Sequence, residues 1–368
     1  MWRLTENRDW EVLKQKFSWV HNMTGIPQDA IHHAEGDVET HTRMVIESLI
    51  NLPEYQLLDE QSQEILWVSA LMHDIEKRST TAIETDGRIT SAGHAKKGEK
   101  TTRMILYRDA PTPFAIREQI AKLVRYHGLP LWIFEKSNPQ KALLKASLEV
   151  NTELLVMLAK ADVLGRICAD QEELLYKIEL FKAFCQEQGV WGNAKRFPSN
   201  LAKFNYFQKE NESPDYEPFD EESFEVIMMS GIPGTGKDTY LKKYHKNLNV
   251  ISLDDIRRQH GISPTDKSGN GRVVQMAKEL AREFLRKKQS FTWNATNTSR
   301  QMREQLIGLF TTYGAKIKII YLEVPFKKLI SQNRNREYAV PESVILKLIE
   351  RLEIPTDSEG HEVVRIVE

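Results

Sequence analysis

The sequence predicts two domains of different fold class, an all-α domain followed by an α/β domain with a parallel sheet. The first half carries apolar residues at helical spacing, and no convincing strand is predicted before about residue 224. After that point, short apolar runs alternate with helical patterns, which is typical of a parallel sheet covered on both faces. A chain of 368 residues also has the length of about two domains.

A polar segment that contains several prolines joins the two predicted domains. We place the first domain at residues 1–187, the linker at 188–223 and the second domain at 224–368. The linker also carries Phe204 and other aromatic residues, so we expect part of it to pack against a neighbouring element.

Periodicity places the individual elements. Helical patterns are predicted at 62–77, 114–127, 143–168, 271–289, 299–312 and 342–353. Strands are predicted at 224–230, 250–253, 291–294 and 316–324. The first of these strands, FEVIMMS, is almost wholly apolar and precedes a glycine-rich turn, so we expect it to be buried.

Composition excludes few classes of function. The 51 basic and 52 acidic residues nearly cancel, so any nucleic-acid contact must come from local patches, and a small-molecule substrate stays open. Cys168 and Cys185 form no CxxC pair, which fits a reducing cytoplasm. Because no apolar run reaches about 18 residues, we expect no membrane span.

Residues 231–239, GIPGTGKDT, indicate a phosphate-binding loop, because they follow a predicted strand and open a helix. Glycines let such a loop wrap closely, so that its backbone N–H groups point at phosphate oxygens. Lys237 would bring its charge to the β- and γ-phosphates; the alternative is a chance glycine-rich turn. The predicted nucleotide-binding residues are Gly231, Gly234, Thr235, Gly236, Lys237, Asp238 and Thr239.

Position 238 departs from the usual motif, in which a serine or threonine after the lysine binds magnesium. Here that residue is Asp238, and Thr239 follows it. Asp238 could bind the metal directly or through water, or it could weaken or alter metal use. The sequence leaves these alternatives open.

Four charged residues suit phosphoryl transfer. Asp254 ends the next strand, where a carboxylate lies over the ligand crevice and can accept the proton of an attacking hydroxyl. Arg257, about one turn later, could hold a phosphate of the acceptor, although a helix N-cap is the alternative role of Asp254 and Asp255. Arg334 and Arg336 lie at the end of a late helix, as expected of a lid over the nucleotide phosphates.

A second set of polar residues is spread over the predicted helices of the first domain. Imidazole and carboxylate groups are natural ligands of transition metals, and helices that converge on a bundle interior can assemble them. The candidate ligands are His33, His41, His73, Asp74, His94, His127 and Asp162. Arg166 shares a helix face with Asp162, and Lys77 follows His73 by four residues, so each could hold a substrate phosphate beside a metal.

Residues 224–368 resemble the 5′-hydroxyl polynucleotide kinases of the adenylate-kinase-like P-loop class. The resemblance implies ATP or another nucleoside triphosphate with Mg²⁺. The residues it assigns are Lys237 and Thr239 of the P-loop, the general base Asp254, the acceptor-phosphate arginine Arg257, and the lid arginine Arg336 with Arg334 as its rival. The stretch from Asn294 to Asn297 lies where that family often has Asp-x-x-Asn, with Asn294 in place of the acid.

Residues 24–170 resemble the HD phosphohydrolases. The family order H…HD…D is found here as His41, His73-Asp74 and Asp162. The resemblance implies two divalent metals, with Asp74 bridging them. A histidine-rich ligand set favours Mn, Co or Ni over Mg.

Two points follow from the same resemblance. His94 and His127 correspond to the extra ligands of HD members that bind two metals. His33 also precedes the motif, so whether His33 or His41 is the first ligand stays open. The implied reaction is hydrolysis of a phosphomonoester or a cyclic phosphodiester.

Together the two halves resemble bacterial enzymes that heal RNA or DNA ends in the cytoplasm. The kinase would phosphorylate a 5′-hydroxyl, the HD domain would remove a 3′-phosphate or 2′,3′-cyclic phosphate, and a separate ligase would be the partner that joins the ends. One alternative is a small-metabolite kinase fused to a nucleotide phosphohydrolase. Another is a non-catalytic, nucleotide-dependent switch. Preference for RNA or DNA and the oligomeric state are not predicted.

Overall fold

The computed structural model describes residues 1–220, 224–263 and 266–368, and it divides into two compact units, Met1–Lys195 and Arg196–Glu368. The first unit is helical, and the second is an α/β unit with a parallel sheet, so the predicted fold class is confirmed. Within the predicted linker, residues 200–208 form a helix whose Phe204 joins the core of the second unit. The last linker residues, 221–223, lie outside the described residues.

The first unit contains short and long helices and one small hairpin. Its helices are α1 (Trp10–Lys16), α2 (Ser18–His21), α3 (Val38–Ile50), α4 (Pro53–Gln56), α5 (Glu60–Met72), α6 (Lys77–Thr80), α7 (His94–Arg108), α8 (Phe114–Tyr126), α9 (Leu129–Trp132), α10 (Pro139–Ser147), α11 (Thr152–Leu164) and α12 (Gln171–Glu187), with a 3₁₀ turn at Ile133–Glu135. The hairpin pairs β1 (Ala82–Ile83) antiparallel with β2 (Ile89–Thr90).

Three element predictions for this unit are corrected by the structure. The helix predicted at 62–77 ends at Met72, because the next residues form tight turns in which Ile75 N–H bonds to the Met72 carbonyl, three residues back. The helix predicted at 143–168 is two helices, since Asn151 accepts hydrogen bonds from two backbone N–H groups and starts α11. The β1–β2 hairpin was not predicted, because strands of two residues show no periodicity.

The second unit is built on a five-stranded sheet in the order β4-β5-β3-β6-β7, and every neighbouring pair is parallel. Its strands are β3 (Glu225–Ser230), β4 (Asn249–Ser252), β5 (Phe291–Asn294), β6 (Lys316–Glu323) and β7 (Glu362–Val367). Its helices are α13 (Asn200–Gln208), α14 (Lys237–Tyr244), α15 (Leu253–Gln259), α16 (Lys267–Arg286), α17 (Arg300–Thr311), α18 (Phe326–Arg334) and α19 (Glu342–Glu350).

Strand β3 is buried on both faces of this sheet. Val226 and Met228 belong to one hydrophobic cluster, and Ile227 and Met229 belong to another, as expected when successive side chains point to opposite faces. The neighbouring strands β4 and β5 pair in register, with Ser252 beside Asn294. The carboxyl ends of β3, β4 and β5 therefore meet at one edge of the sheet, where the P-loop begins.

Among the described residues, none of the helices has both the length and the apolar character needed to cross a membrane.

A buried ion pair ties α17 to the last strand connection. Arg303 Nε donates to Glu359 Oε2 at 2.7 Å, and its Nη1 donates to the carbonyls of Asn297 and Glu353. Both side chains are almost fully buried. Because Asn297 in turn donates to the Met229 carbonyl on β3, this network also fixes the chain beside the P-loop.

We expect Arg303→Met to lower the free energy of unfolding by about 3–5 kcal/mol, because it leaves the buried Glu359 carboxylate without its partner. Arg300→Met is the matched control on the same helix, since the side-chain pair of Arg300 with Glu304 is much more exposed and contributes at most about 1 kcal/mol. Urea unfolding of both variants measures the difference. Equal losses for the two would contradict the structural role given to Arg303.

Candidate active sites

The P-loop is preformed between β3 and α14. Gly231 has φ +143°, and a Cβ there would lie 2.6 Å from the Leu322 carbonyl oxygen, so only glycine fits. Lys237 starts α14 and folds back over the loop, where its Nζ donates to the Gly231 carbonyl at 2.7 Å and to the Ile232 carbonyl at 3.0 Å. Burial is the main cause that lowers the pKa of Lys237 to about 8; the charge of Arg336 also lowers this pKa, and the carboxylates of Asp238 and Asp254 oppose the shift. The lysine is therefore held where phosphate oxygens would replace its carbonyl partners.

The predicted acceptor side lies at the start of α15. Ser252, rather than either aspartate, caps this helix, because its Oγ accepts the Asp255 N–H at 3.2 Å. Asp254 is exposed and pairs with Arg257, whose Nε also donates to Asn270 Oδ1 at 2.8 Å. The alternative role of these aspartates as N-caps is therefore wrong. Asp254 is also close enough to Lys237 for its carboxylate to raise the pKa of the lysine ammonium group.

The two arginines predicted to belong to a lid differ in their surroundings. Arg334 Nη2 pairs with Glu342 Oε2 at 3.0 Å, which ties it to α19. Arg336, by contrast, makes no ion pair with any residue that the structure describes, and its charge acts on Lys237. Asn333 donates to the Val340 carbonyl and accepts the Val340 N–H, so the segment between these residues is held as a closed loop.

In the first unit, the predicted ligands come together from five separate helical regions. His41 Nε2 lies 3.3 Å from His73 Nε2 and 3.1 Å from Asp162 Oδ1. His73 Nε2 is also 3.2 Å from Asp74 Oδ2. These four atoms, each able to bind a metal, face one another in the buried interior. We call their residues, His41, His73, Asp74 and Asp162, the first ligand group.

A second ligand group lies directly beside the first. His94 Nε2 is 3.2 Å from His127 Nε2, and both approach Asp74 Oδ1, at 3.4 Å and 4.0 Å. Asp74 therefore presents one carboxylate oxygen to each group. Its Oδ1 is buried and has no hydrogen-bond partner.

The imidazole rings are oriented by their other nitrogen. Nδ1 of His73, His94 and His127 lies 2.7–2.8 Å from the carbonyl of Ala70, Ser91 and Val124, respectively. Because a carbonyl only accepts, each Nδ1 carries the proton, and each Nε2 offers a lone pair to the ligand group. In metal sites, histidine ligands are typically held in this way, with the nitrogen away from the metal donating to a carbonyl or carboxylate.

The charge state of the cluster also suits cations. Burial opposes ionisation of Asp74, but His73 and Lys77 hold the pKa of its carboxyl well below the ordinary value. Burial lowers the pKa of His127 to about 3, so its ring is neutral. Imidazole nitrogens that face ionised carboxylates, with one carboxylate oxygen unpartnered, are a ligand set that could hold two metal ions.

Two cations border the cluster. Arg166 forms a two-point pair with Asp162, with Nη2 2.6 Å from Oδ2, and Lys77 Nζ lies 2.7 Å from Asp74 Oδ2. Lys77 also donates to Gln28 Oε1 at 2.6 Å. Both predicted phosphate-holding residues are therefore beside the ligands, where they also hold the carboxylates in place.

His33 lies in a different triplet, with Glu35 and His41. The Glu35 carboxylate is fully buried, and its Oε1 lies 2.8 Å from Nδ1 of both His33 and His41. These hydrogen bonds hold the pKa of Glu35 well below its ordinary value although burial opposes it. Sequence reasoning missed Glu35. Its only signal is the position two residues after His33, in a loop where an acid would normally be solvated.

We expect Glu35→Ala to weaken metal binding by roughly 10- to 100-fold, because His41 loses the carboxylate that orients its ring. Isothermal titration with Mn²⁺ measures the effect without any enzyme assay. Glu35→Gln, which keeps one oxygen acceptor, should lose less of the affinity for Mn²⁺. Glu84→Gln, an exposed change in the β1–β2 turn, is the control, and an unchanged affinity in Glu35→Ala would contradict the orienting role.

The fold and the loop of the second unit define a P-loop nucleotide-binding domain. A family model described as an AAA domain matches residues 226–355. Adenylate kinase of Mesoplasma florum is 30% identical over 159 residues, which cover 38% of this chain and 73% of that protein. Through its second unit, the chain belongs to the P-loop kinases, the class that uses ATP with Mg²⁺.

Two other relatives are similar to part of this chain. L-seryl-tRNA(Sec) kinase of Methanococcus maripaludis is 26% identical over 137 residues, which cover 35% of this chain and 53% of that protein. Heterogeneous nuclear ribonucleoprotein U-like protein 2 of Homo sapiens is 26% identical over 150 residues, covering 36% of this chain and 20% of that protein. The chain thus spans about half the length of the first of these relatives and a fifth of the second.

Two solved structures are also similar to part of this chain. A sugar kinase from Janibacter sp. HTCC2649 has a TM-score of 0.31 and 18% identity, covering 40% of this chain and 86% of that one. A chain of a Pnkp1/Rnl/Hen1 complex has a TM-score of 0.30 and 20% identity, covering 34% of this chain and 43% of that one.

Proposed function

We propose that this protein heals nucleic-acid ends, with a P-loop kinase that phosphorylates 5′-hydroxyls and a metal-dependent phosphohydrolase that removes phosphate from 3′ ends. The observation that carries the proposal is the pair of adjoining ligand groups that share Asp74, on the same chain as a P-loop kinase. The order His41, His73-Asp74, Asp162 supports assignment of the first unit to the HD phosphohydrolases.

In the phosphohydrolase site, His41, His73, Asp74 and Asp162 would hold one metal, and Asp74, His94 and His127 would hold another. Bound metals supply Lewis acidity and a water of lowered pKa. Arg166 has further N–H donors beyond those that bind Asp162, so it can bind a substrate phosphate oxygen from beside the cluster. Lys77 offers a second positive charge at Asp74.

In the kinase site, Asp254 would accept the proton of the attacking 5′-hydroxyl, and Lys237 would leave its carbonyl partners to bind the β- and γ-phosphates. Arg257 would turn to the phosphate that follows the acceptor nucleoside. Arg336 is the better candidate for the lid arginine, because Arg334 is already paired with Glu342. These roles need no net movement of the sheet, only exchange of side-chain partners.

The fusion itself favours a nucleic acid with two ends. A kinase and a phosphohydrolase that act on the same group would cancel each other, whereas RNA cleavage commonly leaves a 5′-hydroxyl together with a 3′-phosphate or 2′,3′-cyclic phosphate. The relative named L-seryl-tRNA(Sec) kinase supports an RNA-borne hydroxyl as acceptor. The healed ends would then be joined by a separate ligase.

The similarity to adenylate kinase favours a second candidate, a kinase of free nucleotides fused to a nucleotide phosphohydrolase. The two candidates predict different acceptors. The test mixes a 5′-hydroxyl RNA oligonucleotide that ends in a 2′,3′-cyclic phosphate with an equal concentration of free nucleosides and nucleotides, plus ATP, Mg²⁺ and Mn²⁺. We expect phosphate to be transferred to the oligonucleotide and removed from its 3′ end. Turnover of the free nucleotides alone would replace the proposal by the second candidate.

A further inference from the structure

The unusual P-loop residue Asp238 has a partner that explains it. Asn294 Nδ2 donates to Asp238 Oδ1 at 2.7 Å, across the sheet edge between α14 and the end of β5. The second carboxylate oxygen of Asp238 has no hydrogen-bond partner among the described residues. Asp238 is exposed, so this oxygen is available to a ligand.

Both positions depart from the ordinary P-loop arrangement in complementary ways. The usual loop places a hydroxyl directly after the lysine, and a carboxylate on a neighbouring strand end completes the magnesium site. In this chain the carboxylate follows the lysine, and an amide stands at the end of β5. Both arrangements place one carboxylate at these two positions. In the usual P-loop it stands at the strand end, whereas in this chain it stands at Asp238, directly after the lysine.

We propose that Asp238 supplies the carboxylate that holds the magnesium of the bound nucleotide, and that Asn294 orients it. Mg²⁺ prefers oxygen ligands and is usually held by one or two carboxylates together with substrate phosphates. Asp238 directly follows Lys237, the residue that contacts those phosphates, and its charge acts on Lys237. The hydrogen bond from Asn294 fixes one oxygen of Asp238 and leaves the other for the metal.

The same contact predicts how the two positions depend on each other. An acid at 294 would lie against the Asp238 carboxylate at hydrogen-bond distance, and the two like charges would repel. If Asp238 is replaced by serine first, the acid at 294 restores the ordinary hydroxyl and carboxylate pair. Asn294→Asp alone should therefore reduce the gain in nucleotide affinity that Mg²⁺ gives. In the presence of Asp238→Ser, the same change should increase that gain.

The test is the affinity of the full chain for a fluorescent, non-hydrolysable ATP analogue, measured with Mg²⁺ and with EDTA. This readout needs no acceptor and no turnover, so it does not depend on the end-healing proposal. We expect Asp238→Ser and Asp238→Asn to reduce the gain in affinity from Mg²⁺ by about tenfold or more. Asp238→Ser combined with Asn294→Asp should recover most of that gain.

The affinity in EDTA serves as the internal control, because without the metal it measures only the binding of the nucleotide by the loop backbone and Lys237. The competing explanation is that Asp238 is a first-turn acid that only stabilises α14 through its dipole. In that case Asp238→Asn would lower the melting temperature and leave the gain from Mg²⁺ at the wild-type level. That result would overturn the proposal.

Discussion

Asp74→Asn should abolish removal of the 3′-end phosphate and leave phosphorylation of 5′-hydroxyls intact. The loss should be at least about a hundredfold, because even outer-shell partners of metal ligands contribute roughly 10- to 100-fold, and Asp74 contacts both ligand groups. The amide has nearly the shape of the carboxylate, so the buried site keeps its volume. Release of phosphate from an RNA 3′-phosphate, measured with saturating Mn²⁺, gives the rate.

Two controls separate this effect from misfolding. Asp86→Asn changes an exposed acid that pairs with Arg88, and it should leave both activities unchanged. The kinase activity of Asp74→Asn reports folding of the second unit, and an unchanged helical circular dichroism signal reports folding of the first. If Asp74→Asn kept the wild-type rate of phosphate release, the shared carboxylate would not be part of the reaction centre.

Lys237→Met should reduce phosphorylation of 5′-hydroxyls and leave removal of the 3′-end phosphate intact. Methionine keeps the apolar stem but removes the charge that would bind the β- and γ-phosphates, so kinase activity should fall by about a hundred- to a thousandfold. The hydrolase rate should not change, because the ligand cluster belongs to the other unit. Transfer of labelled γ-phosphate from ATP to the 5′ end of an RNA oligonucleotide measures the loss.

Lys242→Met is the matched control, because Lys242 lies on the same helix but is exposed. We expect it to keep the wild-type kinase rate. A comparable loss in both variants would show that α14 is destabilised by methionine, and an unchanged rate in Lys237→Met would contradict the assignment of the P-loop lysine.

The sequence was most informative where chemistry depends on short local patterns. The P-loop could be predicted because glycines, a lysine and a preceding apolar strand are consecutive, and the structure places that strand at the centre of the sheet. The candidate histidine and aspartate ligands could be predicted because most of them are polar residues within or directly after apolar helical patterns. Their mutual distances could not be predicted, since they depend on how five helical regions pack.

Contacts between residues that are far apart in the sequence, or buried by the fold, could not be predicted from local patterns. Glu35 lies in a polar loop, and only the fold shows that it is buried between His33 and His41. The contact of Asn294 with Asp238 joins residues far apart in the chain, so each looked like a separate departure from the motif. Helix ends were also misplaced, because the turn that carries His73 and Asp74 continues the apolar spacing of α5.

In the proposed phosphohydrolase site, the first unit holds two metal ions that share Asp74. The decisive measurement is the number of Mn²⁺ ions bound per chain, determined by native mass spectrometry of the nucleotide-free protein at micromolar metal. We expect two ions in the wild type, one in a variant that loses His94 and His127, and none held tightly in Asp74→Asn. A wild-type chain that binds no Mn²⁺, or an Asp74→Asn chain that binds as much as the wild type, would contradict the two-metal site.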